Sequence, residues 1–432
     1  MTQFSIKTNE FLTNNKTIYE VVMLADKYGN VAGGTGGTSV DAFGRLRVSE
    51  PLTLFDSSHR YKDNGLWVTS NTASNTTVTF NATQGLVDLT VGTAANDEIV
   101  RETTKVFSYQ PGKSLLVFNT FVMAPAKTNL RQRSGYYGAN NGIYIEVDDT
   151  TTSFVERSLV TGVVTETRIH QSDWNVDTMD GTGPSGMILD ISKAQILWMD
   201  IEWLGLGSVR IGFVIDGQFV LCHTFHHANL IQSTYITTAS LPLRYEIKNK
   251  GPVSSSSTLK QVCSSVISEG GYELRGVQQA IMTPITAPYD LTNAGTYYPV
   301  ISIRLKSAYL DAIVILTAIS LMGITNNANY NWQVRATGTT GGGSWISATD
   351  DSAVEYNITG TSFSGGRILA SGFLNGSNQG STPVDILKEA LFKFQLERNA
   401  LTSTPYEITI VATSNSAGAD MLASLDWEEI SR

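Results

Sequence analysis

Charge is scarce in this 432-residue chain. Asp, Glu, Lys and Arg make up 16% of it, against about 25% in an ordinary soluble protein. That shortage excludes a fold built mainly of Glu-, Lys- and Leu-rich helices. Ser, Thr, Asn and Gly take the vacated positions, and such a composition suits strands joined by turns. Cysteine is nearly missing too. Cys222 and Cys263 stand alone, with no CxxC pair, which excludes a zinc ribbon. They are either one disulfide or two buried free thiols, and burial statistics favour the thiols. Excess positive charge is also missing. Lys and Arg number 30 against 39 Asp and Glu, for a net charge of −9, and the pI is about 5.1. A nucleic-acid-binding surface leaves a basic footprint, so no nucleic acid partner is expected.

Long apolar runs are absent. AIVILTAISLMGI (312–324) is the most apolar stretch. It falls short of the roughly 20 residues a spanning helix needs, so it is expected to be a buried strand pair, with no membrane insertion. The start, MTQFSIKTNEFLTNN, has no apolar h-region and no small-residue cleavage site. Synthesis in a cytoplasm as a soluble protein is the expectation.

Catalytic signatures are missing as well. No GxSxG, HExxH or GxGxxG occurs. YQPGKSLL (109–116) ends like a phosphate-binding loop, but Phe107 stands where the first glycine is required. CHTFHH (222–227) is the best metal candidate, with one thiol and three imidazoles. Strand alternation sends Cys222 and His223 to opposite faces, so backbone-bonded histidines are the simpler expectation. Asp200 and Glu202, in LWMDIEWLG, would share one strand face near Trp198 and Trp203. A glycosidase needs two such carboxyls flanking a sugar cleft, but no separate acid in an apolar pocket is visible. No catalytic residue, cofactor or metal is therefore assigned, and the chain is expected not to be an enzyme.

Strand and turn signals are what the sequence does contain. NTTVTFNA, GLVDLTVG, KSLLVFNTFVMA and NGIYIEVDD alternate or run apolar in the manner of strands. In VRIGFVIDGQFVLCHT (209–224) the Asp216-Gly217 pair predicts a two-residue hairpin. Counting outward pairs Val214 with Phe219, Phe213 with Val220, Ile211 with Cys222 and Arg210 with His223. LKQVCSSVISEGGYELRG is expected to begin with a helical turn. PVDILKEALFKFQLERNA (383–400) is the best helix candidate, with Leu387, Leu391, Phe392 and Phe394 as its apolar stripe. Two Gly-Gly pairs in VAGGTGGTSVD mark residues 1–38 as an N-terminal arm and linker. The expected fold class is all-β, with little helix. Two β-sandwich domains of jelly-roll or lectin-like type follow the arm, over 39–284 and 285–432. Loop aromatics Tyr136, Tyr137, Trp174 and Trp345 are candidates for a glycan or protein interface.

One segment resists all of these assignments. DAFGRLRVSEPLTLFDSSHRY (41–61) packs charge, aromatics, glycine and proline closely together. It resembles a segment of virion structural proteins of tailed bacteriophages, especially those of cyanobacteria and marine bacteria. LDISKAQILWMDIEWLGLGSVRIGFVIDGQFVLCHTFHHAN (189–229) and the region from YEIKN to QVCSSVISEGGYE (245–273) share the likeness. The resemblance implies a non-enzymatic particle component: a tail, fibre, neck or baseplate appendage, or a capsid decoration or head fibre. It implies other virion proteins as partners and a homo-oligomer, with a trimer suggested by analogy to fibres. A host-glycan-binding or glycan-degrading tailspike module is the alternative, with a host surface glycan as partner. Within the segment, Phe43 and Leu46 can bury while Arg45 and Arg47 share the opposite face. These four residues are expected to form an assembly clamp where the arm joins the first domain.

Overall fold

Antiparallel pairing accounts for nearly all the regular structure. The computed structural model describes residues 6–12, 18–24, 50–72, 75–271, 276–376 and 394–431. Strands β1 (Ile6–Leu12) and β2 (Ile18–Leu24) form an antiparallel hairpin within the expected arm. The clamp residues Phe43, Arg45, Leu46 and Arg47 lie outside the described residues.

The chain divides into two units. The first holds 1–103 and 109–271, the second 104–108 and 272–432. The division falls before the strand Val277–Met282 rather than after it, as the 284/285 boundary would require, because that strand pairs with the C-terminal one.

In the first unit the strands are β3 (Leu52–Ser58), β4 (Trp67–Asn71), β5 (Thr77–Asn81), β6 (Leu86–Val91), β7 (Glu98–Thr103) and β8 (Leu115–Val122). Then come β9 (Leu130–Tyr137), β10 (Gly142–Asp148), β11 (Thr151–Ser158), β12 (Thr165–His170) and β13 (Gln195–Ile201). The hairpin β14 (Val209–Ile215) and β15 (Gln218–Phe225) precedes β16 (Leu243–Asn249) and β17 (Ser257–Ser268). Seven of these make one sheet, in the order β12-β11-β10-β9-β16-β7-β4. The other sheet runs β15-β14-β13-β8-β17-β6-β5, with β3 also paired to β17. Side chains cross between the inner faces. The Tyr245 hydroxyl meets Ser264 Oγ at 2.8 Å, and Arg101 Nε donates to Gln261 at 2.6 Å. Phe154 and Phe213 pack ring to ring across the same layer. This is a β-sandwich.

The second unit contains β18 (Val277–Met282), β19 (Tyr289–Leu291), β20 (Tyr298–Leu305), β21 (Ile313–Gly323), β22 (Asn329–Gly341), β23 (Ile346–Ser347), β24 (Val354–Asn357), β25 (Ser362–Asn375), β26 (Glu407–Ser414) and β27 (Ala419–Ser431). One sheet is centred on β27, flanked by β18, β19 and β21; the other runs β23-β24-β20-β26-β22-β25. Their shared core includes Val300, Leu316, Val334, Ile410, Leu425 and Trp427.

Four sequence expectations need correction. The 312–324 run is one strand, β21, whose bulges let it follow β27 over its whole length. Residues 257–268 form a continuous strand with no helical turn, held between β8 and β6. The helix expected at 383–400 does not reach its last turns, since Phe394–Ala400 carry isolated bridges such as Ile315 with Gln395. The earlier part, with Leu387, Leu391 and Phe392, lies outside the described residues.

The fourth concerns the hairpin register. Val214–Phe219 and Phe213–Val220 pair as counted, but a bulge then makes Cys222 the extra residue. Ile211 faces His223 and Arg210 faces Thr224. The carbonyl of Cys222 is taken by the amides of Val176 and Asp177, both at 3.0 Å. The 174–179 segment thus satisfies the backbone group that the bulge removes from the ladder.

Candidate functional site

The densest chemistry among the described residues lies on the outward face of the seven-stranded sheet. It follows from register. Arg133 on β9 stands opposite Glu146 on β10 and Glu246 on β16, while Arg244 on β16 stands opposite Glu102 on β7. Arg157 on β11 stands opposite Glu166 on β12. Opposite charges thus alternate from strand to strand, which is the stabilising cross-strand arrangement.

The side chains close this pattern into one network. Arg133 meets Glu146 at 2.6 Å and Glu246 and Glu166 at 3.3 Å each. Arg131 meets Glu246 at 2.7 Å, and Arg244 meets Glu102 at 2.8 Å and Glu246 at 3.0 Å. Arg168 meets Glu146 at 2.7 Å and also pairs with Glu166, which Arg157 meets at 2.5 Å. Tyr137 and Tyr144 lie beneath, their ring centroids 4.3 Å apart. The Arg133 guanidinium sits 5.0 Å from the Tyr144 ring, and that of Arg244 sits 5.2 Å from Tyr137. Although it faces away from the core, the centre of the layer is sealed, with Arg133 and Glu246 each 2% exposed and Glu146 1% exposed, while Arg131, Arg168 and Glu166 at its edges reach solvent.

Electrostatics fix the protonation states. Burial alone would raise the Glu246 carboxyl, but Arg244, Arg133 and Arg131 outweigh it and hold the group at about 2. Glu166 is likewise held at about 2, burial being overcome by Arg157, Arg133 and the Tyr144 hydroxyl. Burial pushes Tyr137 and Tyr144 up.

A pH dependence follows. A depressed carboxyl contributes stability that is complete above its unfolded value and lost as pH falls through its folded value. For Glu246 the window runs from 4.5 down to about 2, and the contribution is on the order of 3 kcal/mol. Urea midpoints measured across this window are expected to fall steadily with acidification. Glu246→Gln should flatten the slope, and an unchanged slope in that variant would refute the assignment.

The candidates named from sequence fall elsewhere. Tyr136 and Tyr137 end β9 rather than occupying a loop, and both are buried. Tyr136 points inward, its hydroxyl donating to Ala239 O at 2.6 Å and accepting from Leu241 N at 3.2 Å. Trp174 is buried and stacked on Phe154, with centroids 4.1 Å apart. These three belong to packed layers and not to an open interface. Trp345 is half-buried in the second unit, with the Arg304 guanidinium 3.9 Å from its ring.

CHTFHH does not converge. Cys222 packs against Met179 Sδ at 3.2 Å, and burial raises its thiol. His223 accepts from Asn175 N at 3.2 Å; burial, with His226, lowers it to about 4. His227 stacks on Tyr235 at 3.9 Å and meets Glu156 at 2.7 Å. Both cysteines are free thiols. Cys222 is buried and Cys263 only half-buried; they sit on β15 and β17, with three strands of the sheet between them. Among the described residues no three His, Cys, Asp or Glu side chains are grouped as a metal site.

The Asp200–Glu202 pair is also dispersed. β13 ends at Ile201, Asp200 is fully buried and paired with Arg210, and Glu202 lies past the strand end. Trp198 is buried, and Trp203 Nε1 donates to Ile236 O at 3.3 Å, so the two indoles form no open platform.

The arginine–glutamate layer escaped sequence reasoning, yet a signal was present. Closing β9 and β10 around residues 138–141 pairs Arg133 with Glu146 and Arg131 with Asp148 by counting alone.

No family model matches the chain, and no curated protein matches it. Solved structures with a similar chain path include a Bacteroides ovatus mixed-linkage-glucan GH16 protein, at 10% identity and TM-score 0.34, covering 49% of this chain and 99% of that one. A legume-lectin-like domain from Entamoeba histolytica shows 9% identity and TM-score 0.30, over 49% and 95% of the two chains. Arcelin-5, a lectin-like defence protein from Phaseolus vulgaris, shows 8% identity and TM-score 0.30, over 50% and 98%.

Proposed function

We propose that this chain is a non-enzymatic structural component of a tailed-phage virion. In this reading its N-terminal arm docks on other virion proteins and its β-sandwiches are displayed as a tail, fibre, neck or baseplate appendage. The sequence resemblance over 41–61, 189–229 and 245–273 motivates the reading. The structural observation that fits it is the closed ion network of the seven-stranded sheet. In the densest cluster every glutamate accepts from at least one arginine. Glu246 and Glu166, held at about 2, keep no proton to donate at neutral pH. A general acid requires the opposite shift, so these two groups are not general acids. Such a layer suits a rigid building block. Assembly as a homo-oligomer fits the repetition of subunits in a particle. Capsid decoration is the second placement the resemblance allows, and host-glycan attachment is compatible with either.

Cryo-electron microscopy of purified virions tests this. Density traceable to this chain on the tail, neck, baseplate or capsid is the expected result. Particles that lack the chain would overturn the reading.

A further inference from the structure

We propose that the outward face of the eight-stranded sheet carries a carbohydrate site that seats one pyranose unit on Phe118. This deepens the glycan-attachment part of the function above and rests on it.

Register assembles the site. Asp56 on β3 stands opposite Ser265 on β17, Ser265 opposite Phe118 on β8, and Phe118 opposite Trp198 on β13. In the neighbouring row Ser58 faces Cys263 and Cys263 faces Thr120. Strands lie about 4.8 Å apart, so Asp56 and Phe118 stand roughly 10 Å apart at the backbone, wide enough for a sugar ring between them. A depression of about 300 Å³ occupies this place, lined by Asp56, Ser58, Arg60, Phe118, Cys263 and Ser265 among others. That is at the lower end of the range for small-ligand sites.

The lining groups are available. Asp56, Ser58 and Arg60 are exposed, and Phe118 and Ser265 are half-buried. Among the described residues the side chains of Asp56, Ser58, Arg60 and Ser265 make no hydrogen bond or ion pair. The arginines of the opposite sheet's network each pair with at least one glutamate, whereas Arg60 has no such partner among the described residues. The Phe118 ring is braced from behind: Phe219 meets it edge-on at 6.0 Å, and Trp198 meets Phe219 at 5.6 Å.

Chemistry selects the ligand class. A sugar offers an apolar C–H face for a braced aromatic ring. Its hydroxyls donate to a carboxylate such as Asp56 and accept from a guanidinium such as Arg60. A phosphate-bearing ligand would meet the repulsion of Asp56. A wholly apolar ligand would desolvate the polar rim without replacing its hydrogen bonds.

The test uses the full chain on an array of bacterial surface glycans, followed by calorimetry with the sugar bound best. Asp56→Ala and Arg60→Ala are exposed rim changes that leave folding intact, and Ser265→Trp fills the depression. Each is expected to weaken binding by at least about tenfold, with an unchanged thermal midpoint. Phe373→Ala, on the second unit and 81% exposed, should bind as the unmodified chain does. Glycan binding that survives both Ser265→Trp and Asp56→Ala would overturn the site, and so would a chain that binds no glycan. A chain found on virions that binds no glycan would sink this site while leaving the virion role standing. A chain absent from virions whose glycan binding is lost in the rim variants would do the reverse.

Discussion

Glu246→Ala is expected to lower the unfolding free energy by roughly 3–5 kcal/mol, the cost of breaking a buried ion network from one side. Glu246 is the acceptor shared by Arg131, Arg133 and Arg244. Removing it leaves three guanidiniums close together, and water reaches Arg131 and Arg244 only in part and Arg133 hardly at all. Arg133, at 2% exposure, has the least access to solvent and suffers most. Salt should do little to rescue the variant, because screening acts weakly on buried charges. Glu246→Gln keeps a hydrogen-bond acceptor and should cost less. Urea unfolding followed by tryptophan fluorescence measures both. A loss below about 1 kcal/mol for the alanine variant would mean that the layer behaves like an ordinary surface network.

Gly142→Ala should be at least as severe, at about 4 kcal/mol or more. Gly142 opens β10 with φ of +136°, a conformation side chains rarely adopt. A Cβ there would lie 2.3 Å from Tyr137 Cα on the neighbouring strand. Neither atom can move without breaking the β9–β10 ladder that brings Arg133 to Glu146. Gly217, at the tip of the β14–β15 hairpin, is the internal comparison. Its φ is +73°, but a Cβ there would meet nothing within 4 Å. Gly217→Ala should therefore cost only the backbone term, about 1–2 kcal/mol. Equal costs for the two variants would show that backbone conformation, and not the close approach of strands, dominates at Gly142.

The two variants probe different degrees of legibility. The turn at Asp216-Gly217 could be named from sequence, because positive φ at both positions leaves few residue choices. Nothing local distinguishes Gly142, whose requirement comes from a strand reached through the preceding turn.

Local chemistry therefore set much of this protein without help from the tertiary structure. Low charge with abundant Thr, Asn and Gly implied an all-β chain. Alternation in NGIYIEVDD put Ile143, Ile145 and Val147 on the core face, where they are buried. The first pairs of the β14–β15 hairpin followed from the turn. Local pattern could not say what happens to the other face of a strand. Tyr144 and Glu146 alternate with those core residues and look solvent-facing, yet both are buried under arginines from three other strands. Strand order brought β16, about a hundred residues distant, beside β9 and supplied Arg244 and Glu246. The same cause displaced Tyr136, Tyr137 and Trp174 from an expected interface into packed layers. Period-two alternation reports which face a side chain takes. Only the assembled sheet decides what covers that face, because the covering charges come from other strands, β16 among them from far along the chain.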